Sequence, residues 1–310
     1  MDDAVTSPLS PSGKPALSLV ATPGKRTAVL DAAAEAERRG FAAIACPTLG
    51  GALGLCVSLA HVTHEVPFYT SIQGIYGSVP SEIGGLAAHI HEVSGGRFAL
   101  GLGVSHEPMV RRLGVPMGRP LADMRRFVDG LRANERYGGP LPPIYLAALR
   151  DRMLDLAVEL GDGAIWANAS FQHTAVQVQR VPAERTAGGF RLANMIPTVI
   201  DDDRRAAAAV NRKTMTVYVG LPNYRSYWRS CGYVEEMDAI EAALAAGERD
   251  RLPSLMSDAW LDDCTLGGPV GFVRERLAAW AELGVQPIAV MSSTRGGQLQ
   301  AVAELFDAYQ

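Results

Sequence analysis

Short apolar runs alternate with amphipathic helical stretches along almost the whole chain, and that alternation limits the fold more than any other sequence feature. Ala16–Ala21, Phe41–Cys46, Pro67–Gln73 and Phe98–Val104 read as four strands, and Ile144–Ala148, Ala164–Ala167, Leu192–Ile200 and Ile288–Met291 as four more. Helical patterns fill the gaps at Thr27–Arg39, Leu53–Val62, Pro80–Val93, Leu121–Glu135 and Arg152–Leu160, and Gln298–Tyr309 closes the chain. Thr27 reads as the N-cap of the first helix and Gly40 as its stop, while Pro80 suits a first helical turn. Strands that are apolar throughout belong to a parallel sheet covered by helices. Eight such units in 310 residues favour an α/β fold closed as a (β/α)8 TIM barrel. The pattern alone leaves an open doubly wound sheet as the alternative.

The helical region 202–265, between the seventh and eighth strands, is too long for a simple connection. It reads as an excursion over the barrel mouth, inside a single domain covering 15–310. Residues 1–14, rich in Pro, Ser and Asp, read as a disordered tail without the basic start and apolar run of a signal peptide. A hydrophobic share of 48% against 20% charged residues marks a globular chain. The net charge of −4 and pI near 5.9 give no electrostatic reason to expect nucleic acid or an anionic membrane. No apolar run is long enough for a membrane span. Cys46, Cys56, Cys231 and Cys264 are scattered, which signals neither zinc nor a disulfide framework and fits a reducing cytoplasm. The spacings of His61, His64, His89 and His91 fit no metal motif, so no metal is expected. His173, opening a helix, is expected to be exposed.

Ser94-Gly95-Gly96-Arg97-Phe98-Ala99-Leu100-Gly101-Leu102-Gly103-Val104-Ser105 is the most informative stretch. It reads as a helix end, a two-glycine turn, a buried strand, and a strand end loosened by glycine. Glycine at the C-terminal end of a barrel strand lets a planar ligand or phosphate approach the backbone. Tight packing between neighbouring strands is the simpler reading of an isolated G-x-G. It is no dinucleotide fingerprint, because His106 stands where the third glycine belongs.

This S-G-G-R-F-x-L-G-L-G run resembles the signature of the luciferase-like monooxygenases, oxidoreductases that use a flavin or deazaflavin. Glu35 to Phe41, Pro142 to Ala148, Met153 to Gly163, Leu221 to Arg225 and Gly268 to Val285 resemble other parts of the same family. The likeness runs from Ala16 over nearly the whole chain, and it implies the barrel. It also implies a ring held in the barrel mouth, a phosphate on loops after later strands, a small-molecule substrate and a homodimer. Compact length and the Pro222-Asn223-Tyr224-Arg225 segment favour the sub-group using coenzyme F-420, a deazaflavin that passes hydrides; flavin mononucleotide (FMN) is the alternative.

Carried over by position, Gly103, Val104 and Ser105 are expected against the cofactor, with Trp166 either bordering the ring or filling the barrel top. Ser71 and Ile72 match a bulge that backs the ring, often with a non-proline cis peptide. Leu149, Arg150, Asp151 and Arg152 match a loop feeding a helix N-terminus, a ready anion site. Many members have Gly-Pro where this chain has Arg150-Asp151; Arg150 suits a phosphate, and Asp151 reads equally as a helix cap. The family often carries an acid or histidine after the second strand, where this chain reads Cys46-Pro47-Thr48. Thr48 hydrogen bonds but is no acid or base at neutral pH. His106, Glu107, Tyr76 and Thr48 are therefore the candidate proton carriers. Tyr224, Tyr227 and Trp228 share one helix face and serve either core packing or a substrate-facing wall. The expected activity is hydride transfer between F-420 and an unsaturated or carbonyl carbon. An FMN-dependent monooxygenase and a ligand-binding barrel without redox chemistry are the two alternatives.

Overall fold

The computed structural model describes residues 13–310. Its strands are β1 (Ala16–Ser18), β2 (Ile44–Cys46), β3 (Phe68–Thr70) with a short continuation β4 (Gln73–Gly74), and β5 (Phe98–Gly103). They continue as β6 (Ile144–Ala147), β7 (Gly163–Ala167), β8 (Arg191–Ile200), β9 (Leu266–Gly268) and β10 (Gln286–Ser292). Every pairing is parallel, and β10 bonds to β8 on one side and β1 on the other. The sheet is therefore a closed barrel, and all eight expected strands are in it. The open-sheet alternative is gone.

β9 was not legible: Leu-Gly-Gly is too short and too poor in apolar residues to read as a strand. It pairs with the far end of β8 through Thr198 and Leu266, where β7 has already ended.

Residues of alternate parity on each strand face opposite sides. Those pointing into the barrel are small Ala43, Ala45, Ala99 and Ala193 set against Tyr69, Tyr145, Ile165 and Ile288. Large and small residues on different strands fill the interior without a pore. The opposite parity faces the helices, forming the larger apolar layer with residues such as Leu17, Phe68, Leu100 and Leu146.

Helix ends follow local chemistry. Proline opens the helices Pro80–Val93, Pro120–Gly138 and Pro222–Ser230. Gly40 ends the first helix at φ 71°, as expected, but that helix starts at Arg26 with Lys25 in the cap position, so Thr27 lies inside it. The tail expectation falls mostly outside the described residues. Lys14 is already held, its Nζ donating to the carbonyls of Arg39 at 2.6 Å and Tyr309 at 3.2 Å. Among the described residues, no helix is long and apolar enough to cross a membrane.

The excursion consists of helices Arg204–Val219, Pro222–Ser230, Val234–Ala245 and Asp258–Cys264 with a 3-10 segment Arg249–Leu255. Its first helix is capped by Asp203, whose side chain accepts from the amides of Arg205 and Ala206. That helix packs on β8 and β9, Asn211 Nδ2 donating to Leu266 O at 2.9 Å. The Pro222–Ser230 helix crosses to the C-terminal end of the barrel and meets the loop after β7 there.

Candidate functional site

The mouth is organised by an irregularity in the third strand. Tyr69 pairs with Ala99 and Gln73 with Leu102, so the chain takes four steps in one strand against three in its neighbour. That is a bulge, and the Ser71–Ile72 peptide within it is cis, as the resemblance implied. Ser71 N–H donates to Cys46 O at 2.8 Å and Thr70 Oγ1 to Gly101 O at 2.7 Å.

The two glycines of β5 follow from the bulge. A Cβ on Gly101 would stand 1.9 Å from Thr70 O, and one on Gly103 would stand 2.6 Å from Ile72 Cδ1. A side chain at Gly101 would collide with backbone that the bulge fixes, and one at Gly103 would have to displace the Ile72 side chain. The packing reading of the G-x-G is therefore the structural one. Gly103, expected against the cofactor, is instead covered by Ile72, and Ile72 takes the place facing the barrel mouth. Ser71 is buried, and its Oγ has no hydrogen-bond partner among the described residues.

Beyond Gly103 the chain turns sharply: Ser105 has φ 58°, a conformation rare outside glycine and asparagine. His106 follows as the residue preceding the helix Glu107–Arg112. Its ring lies 5.6 Å from that of Tyr224, its Nδ1 is buried without a partner among the described residues, and burial pushes its pKa below the usual 6.5. Glu107 points outward, exposed and paired with Arg111 at 2.7 Å. With Arg111 and Val115 to Gly118 it lines a cleft of about 490 Å³ at the rim.

Two other expected proton carriers have committed hydroxyls. Thr48 Oγ1 donates to Ile72 O, tying the loop after β2 to the bulge. Tyr76 Oη donates to Asp123 Oδ2 at 2.7 Å; burial and then the Asp123 carboxylate push its pKa up to about 12. His106 is thus the candidate with a ring nitrogen that has no partner among the described residues.

Gly101–Ser105 and Leu149–Arg152 open on the same end of the barrel, since β5 and β6 run parallel in register. Arg150 precedes the helix Asp151–Leu160, and no side chain among the described residues caps that helix. The cap reading of Asp151 therefore fails. Asp151 Oδ1 accepts from Gln177 Nε2 at 3.0 Å, and its Oδ2 lies 3.6 Å from Arg180. The carboxylate is thus partly neutralised by Arg180. Arg150 is exposed and donates to Ser226 Oγ at 3.3 Å, and Arg152 is exposed. Leu149 is half-buried against the core.

Trp166 does not border the mouth. On β7 it has the outward parity, opposite to Ile165, and it is fully buried in the layer between strands and helices. His173 is half-buried, its ring 5.6 Å from Tyr227, rather than exposed. Tyr227 and Trp228 pack the underside of the excursion: Ser170 N donates to Tyr227 Oη at 3.1 Å, and Trp228 Nε1 donates to Asn168 O at 3.3 Å.

The sequence reading missed Asn168, just past the end of β7. It has φ 54°, is 2% exposed, and its Nδ2 lacks a full hydrogen-bond partner among the described residues. An asparagine right after a strand end was the available signal, because its short amide tolerates the left-handed conformation.

A closed parallel barrel with a bulged third strand, a glycine-lined fourth and a helix packed on the loop after β7 at its C-terminal end is a scaffold of the TIM-barrel class. The luciferase-like monooxygenase family model matches residues 12–287, and the chain belongs to that family. As a member it is a flavin- or deazaflavin-dependent oxidoreductase acting on small molecules. Among similar proteins, one from Mycobacterium tuberculosis, named provisionally as a coenzyme F-420-dependent oxidoreductase, is 25% identical over 286 residues, covering 75% of this chain and 80% of its own. A 5,10-methylenetetrahydromethanopterin reductase of Archaeoglobus fulgidus is 24% identical over 264 residues, covering 76% and 79%. The solved coenzyme F-420-dependent tetrahydromethanopterin reductase of Methanopyrus kandleri superposes with a TM-score of 0.73 at 18% identity, over 94% of this chain and 96% of that one. The last match concerns fold alone.

Proposed function

We propose that the barrel mouth takes coenzyme F-420 and that the enzyme moves a hydride between it and a carbonyl or unsaturated carbon of a small organic substrate. The observation that carries this reading is the bulge at Ser71–Ile72 seated on Gly101 and Gly103, with the unpartnered His106 nitrogen at the same end. The name of the Mycobacterium tuberculosis relative, which matches 75% of the chain, supports the choice of deazaflavin.

The residues present fit such a group. Ile72 and the bulge offer a wall for one face of a planar ring, and the buried, unpartnered Ser71 Oγ offers a polar contact at its edge. Ser105 lies beside Gly74 at the end of the bulged strand, while Val104 packs against the outer apolar layer and is not offered to the ring. The uncapped N-terminus of Asp151–Leu160, with Arg150 and Arg152 beside it, suits a phosphate. When bound, the deazaflavin supplies two-electron hydride exchange, and the protein supplies orientation and proton handling.

His106 is the group for the proton. Burial keeps its imidazole neutral at neutral pH, so it accepts a proton from a substrate hydroxyl as the neighbouring carbon is oxidised. Run in reverse, the same nitrogen returns the proton to the oxygen.

Equilibrium titration of the apo-protein with F-420 and with FMN, followed by an oxygen-uptake assay, tests the reading. Binding of F-420 at least tenfold tighter than FMN, without oxygen uptake, is expected. Preference for FMN with oxygen uptake would make the enzyme a monooxygenase, and binding of neither would leave a barrel without redox chemistry.

A further inference from the structure

The helices at the mouth bring together a cluster of polar groups that, His106 apart, have no role so far. Asn168 is fixed by its backbone: its N–H donates to Met195 O at 2.9 Å, and its carbonyl accepts from Trp228 Nε1 at 3.3 Å. Its amide side chain is left over, buried with Nδ2 unpartnered. A buried amide donor in that state costs free energy unless something else satisfies it.

The hydroxyls of Tyr218 and Tyr224 stand beside this amide without completing a bond to Nδ2. Burial raises the pKa of both phenols, and the amide offsets part of the rise. Their rings meet edge to face at 5.2 Å. Tyr224 in turn touches the ring of His106, whose Nδ1 is the second buried and unpartnered polar atom of the cluster. Three separate elements converge here: the loop after β5, the loop after β7, and the excursion.

We infer that Asn168, Tyr218, Tyr224 and His106 form a subsite for a neutral oxygen acceptor, the carbonyl or hydroxyl oxygen of the substrate. This deepens the hydride-transfer reading, and its substrate role rests on that reading. The donors are a carboxamide, two phenols and an imidazole, none of them a fixed cation. Arg225, next to Tyr224 in the chain, directs its terminal nitrogens to Val219 O at 2.8 Å and Glu241 Oε1 at 3.4 Å. A carboxylate or phosphate would lose its hydration here without gaining a counter-charge. A ketone, aldehyde or secondary alcohol brings lone pairs and no net charge, which matches what the cluster offers. The subsite also sets the substrate oxygen next to the nitrogen that handles its proton.

The test uses the full chain with and without F-420 and three probes of similar shape: cyclohexanone, cyclohexanecarboxylate and methylcyclohexane. Binding is read by nuclear magnetic resonance of the protein's side-chain amides and imidazoles. Cyclohexanone should bind the wild type and shift the Asn168 amide signal, and cyclohexanecarboxylate should not compete. Asn168→Gly keeps the left-handed backbone and removes the amide, and Tyr224→Phe keeps the ring and removes the hydroxyl. Each should weaken cyclohexanone at least fivefold, leave methylcyclohexane unchanged, and leave F-420 affinity within twofold of the wild type. Failure of cyclohexanone to bind the wild type, equal binding of the carboxylate, or unchanged ketone affinity in both variants overturns the subsite. If F-420 does not bind at all, the deazaflavin reading falls, and the same comparison on the apo chain still decides the subsite.

Discussion

Replacing Arg97 by methionine removes the cation from the centre of the signature that suggests the family, yet the structure makes this a test of stability. Arg97 precedes β5 and lies at the end of the barrel opposite the mouth. Its guanidinium donates five hydrogen bonds: Nε to Ser94 O at 2.8 Å, Nη1 to Thr63 Oγ1 at 2.8 Å and Val66 O at 3.1 Å, and Nη2 to Ala60 O at 3.1 Å and Thr63 O at 2.9 Å. Ala60 and Thr63 carry the last carbonyls of the helix Ala52–Val62, so a cation there also complements the helix dipole. On the other side, Glu37 Oε1 accepts the amides of His64, Glu65 and Val66 at 2.8, 2.7 and 2.8 Å. The turn leading into β3 is thus held between an anion that takes its N–H groups and a cation that takes its carbonyls. Hydrogen bonds to a charged group contribute roughly 1.5–3 kcal/mol each. Shared acceptors and residual access of water make the five far from additive, so a loss of about 3–4 kcal/mol is expected. Urea unfolding followed by tryptophan fluorescence measures it well, because all four tryptophans are buried in the folded chain. Cofactor affinity should not change. A loss below about 1 kcal/mol would refute the clamp, since a charged bond contributes more than that singly; an intact fold with weakened cofactor binding would refute its placement.

The bulge gives an ordered pair of variants. Gly101→Ala meets a backbone oxygen and should destabilise more than Gly103→Ala, which meets the flexible end of Ile72 and should cost about 1–3 kcal/mol while weakening cofactor binding; equal costs in thermal melts count against the bulge. Replacing Arg150 and Arg152 together by alanine should weaken cofactor binding by roughly 2–4 kcal/mol if both reach the phosphate, and unchanged affinity in titration returns them to the surface. His106 predicts a pH effect: its folded pKa lies below the unfolded 6.5, so below that pH the unfolded chain binds a proton that the folded chain does not. Stability should therefore fall as the pH drops through 6.5, by at most about 1.4 kcal/mol per pH unit from this group. Melts of wild type and His106→Asn between pH 7.5 and 5 with the same slope would reject this assignment.

The eight strands were legible because a parallel barrel strand is buried on both faces, and an apolar run of that kind survives any choice of which face is which. That same indifference made Trp166 unreadable. In a run where both parities are apolar, nothing local distinguishes the side facing the barrel from the side facing the helices, and the parity of Ile165 and Trp166 is set by register with β6 and β8. The bulge was reached through resemblance, but its cause was not: Gly101 and Gly103 are explained by Thr70 and Ile72 on a strand about thirty residues earlier, through contacts that no local pattern records. The proton carriers show the same division. As residue types, Thr48, Tyr76 and His106 were all reasonable, and only tertiary partners separate them. The Thr48 hydroxyl is held by the carbonyl of Ile72 and the Tyr76 hydroxyl by a carboxylate 47 residues away, while the His106 nitrogen is left without either. Availability, rather than chemical type, is what singles out His106 in the proposed chemistry. It also marks Asn168, which no motif singled out and whose amide the fold buries without satisfying.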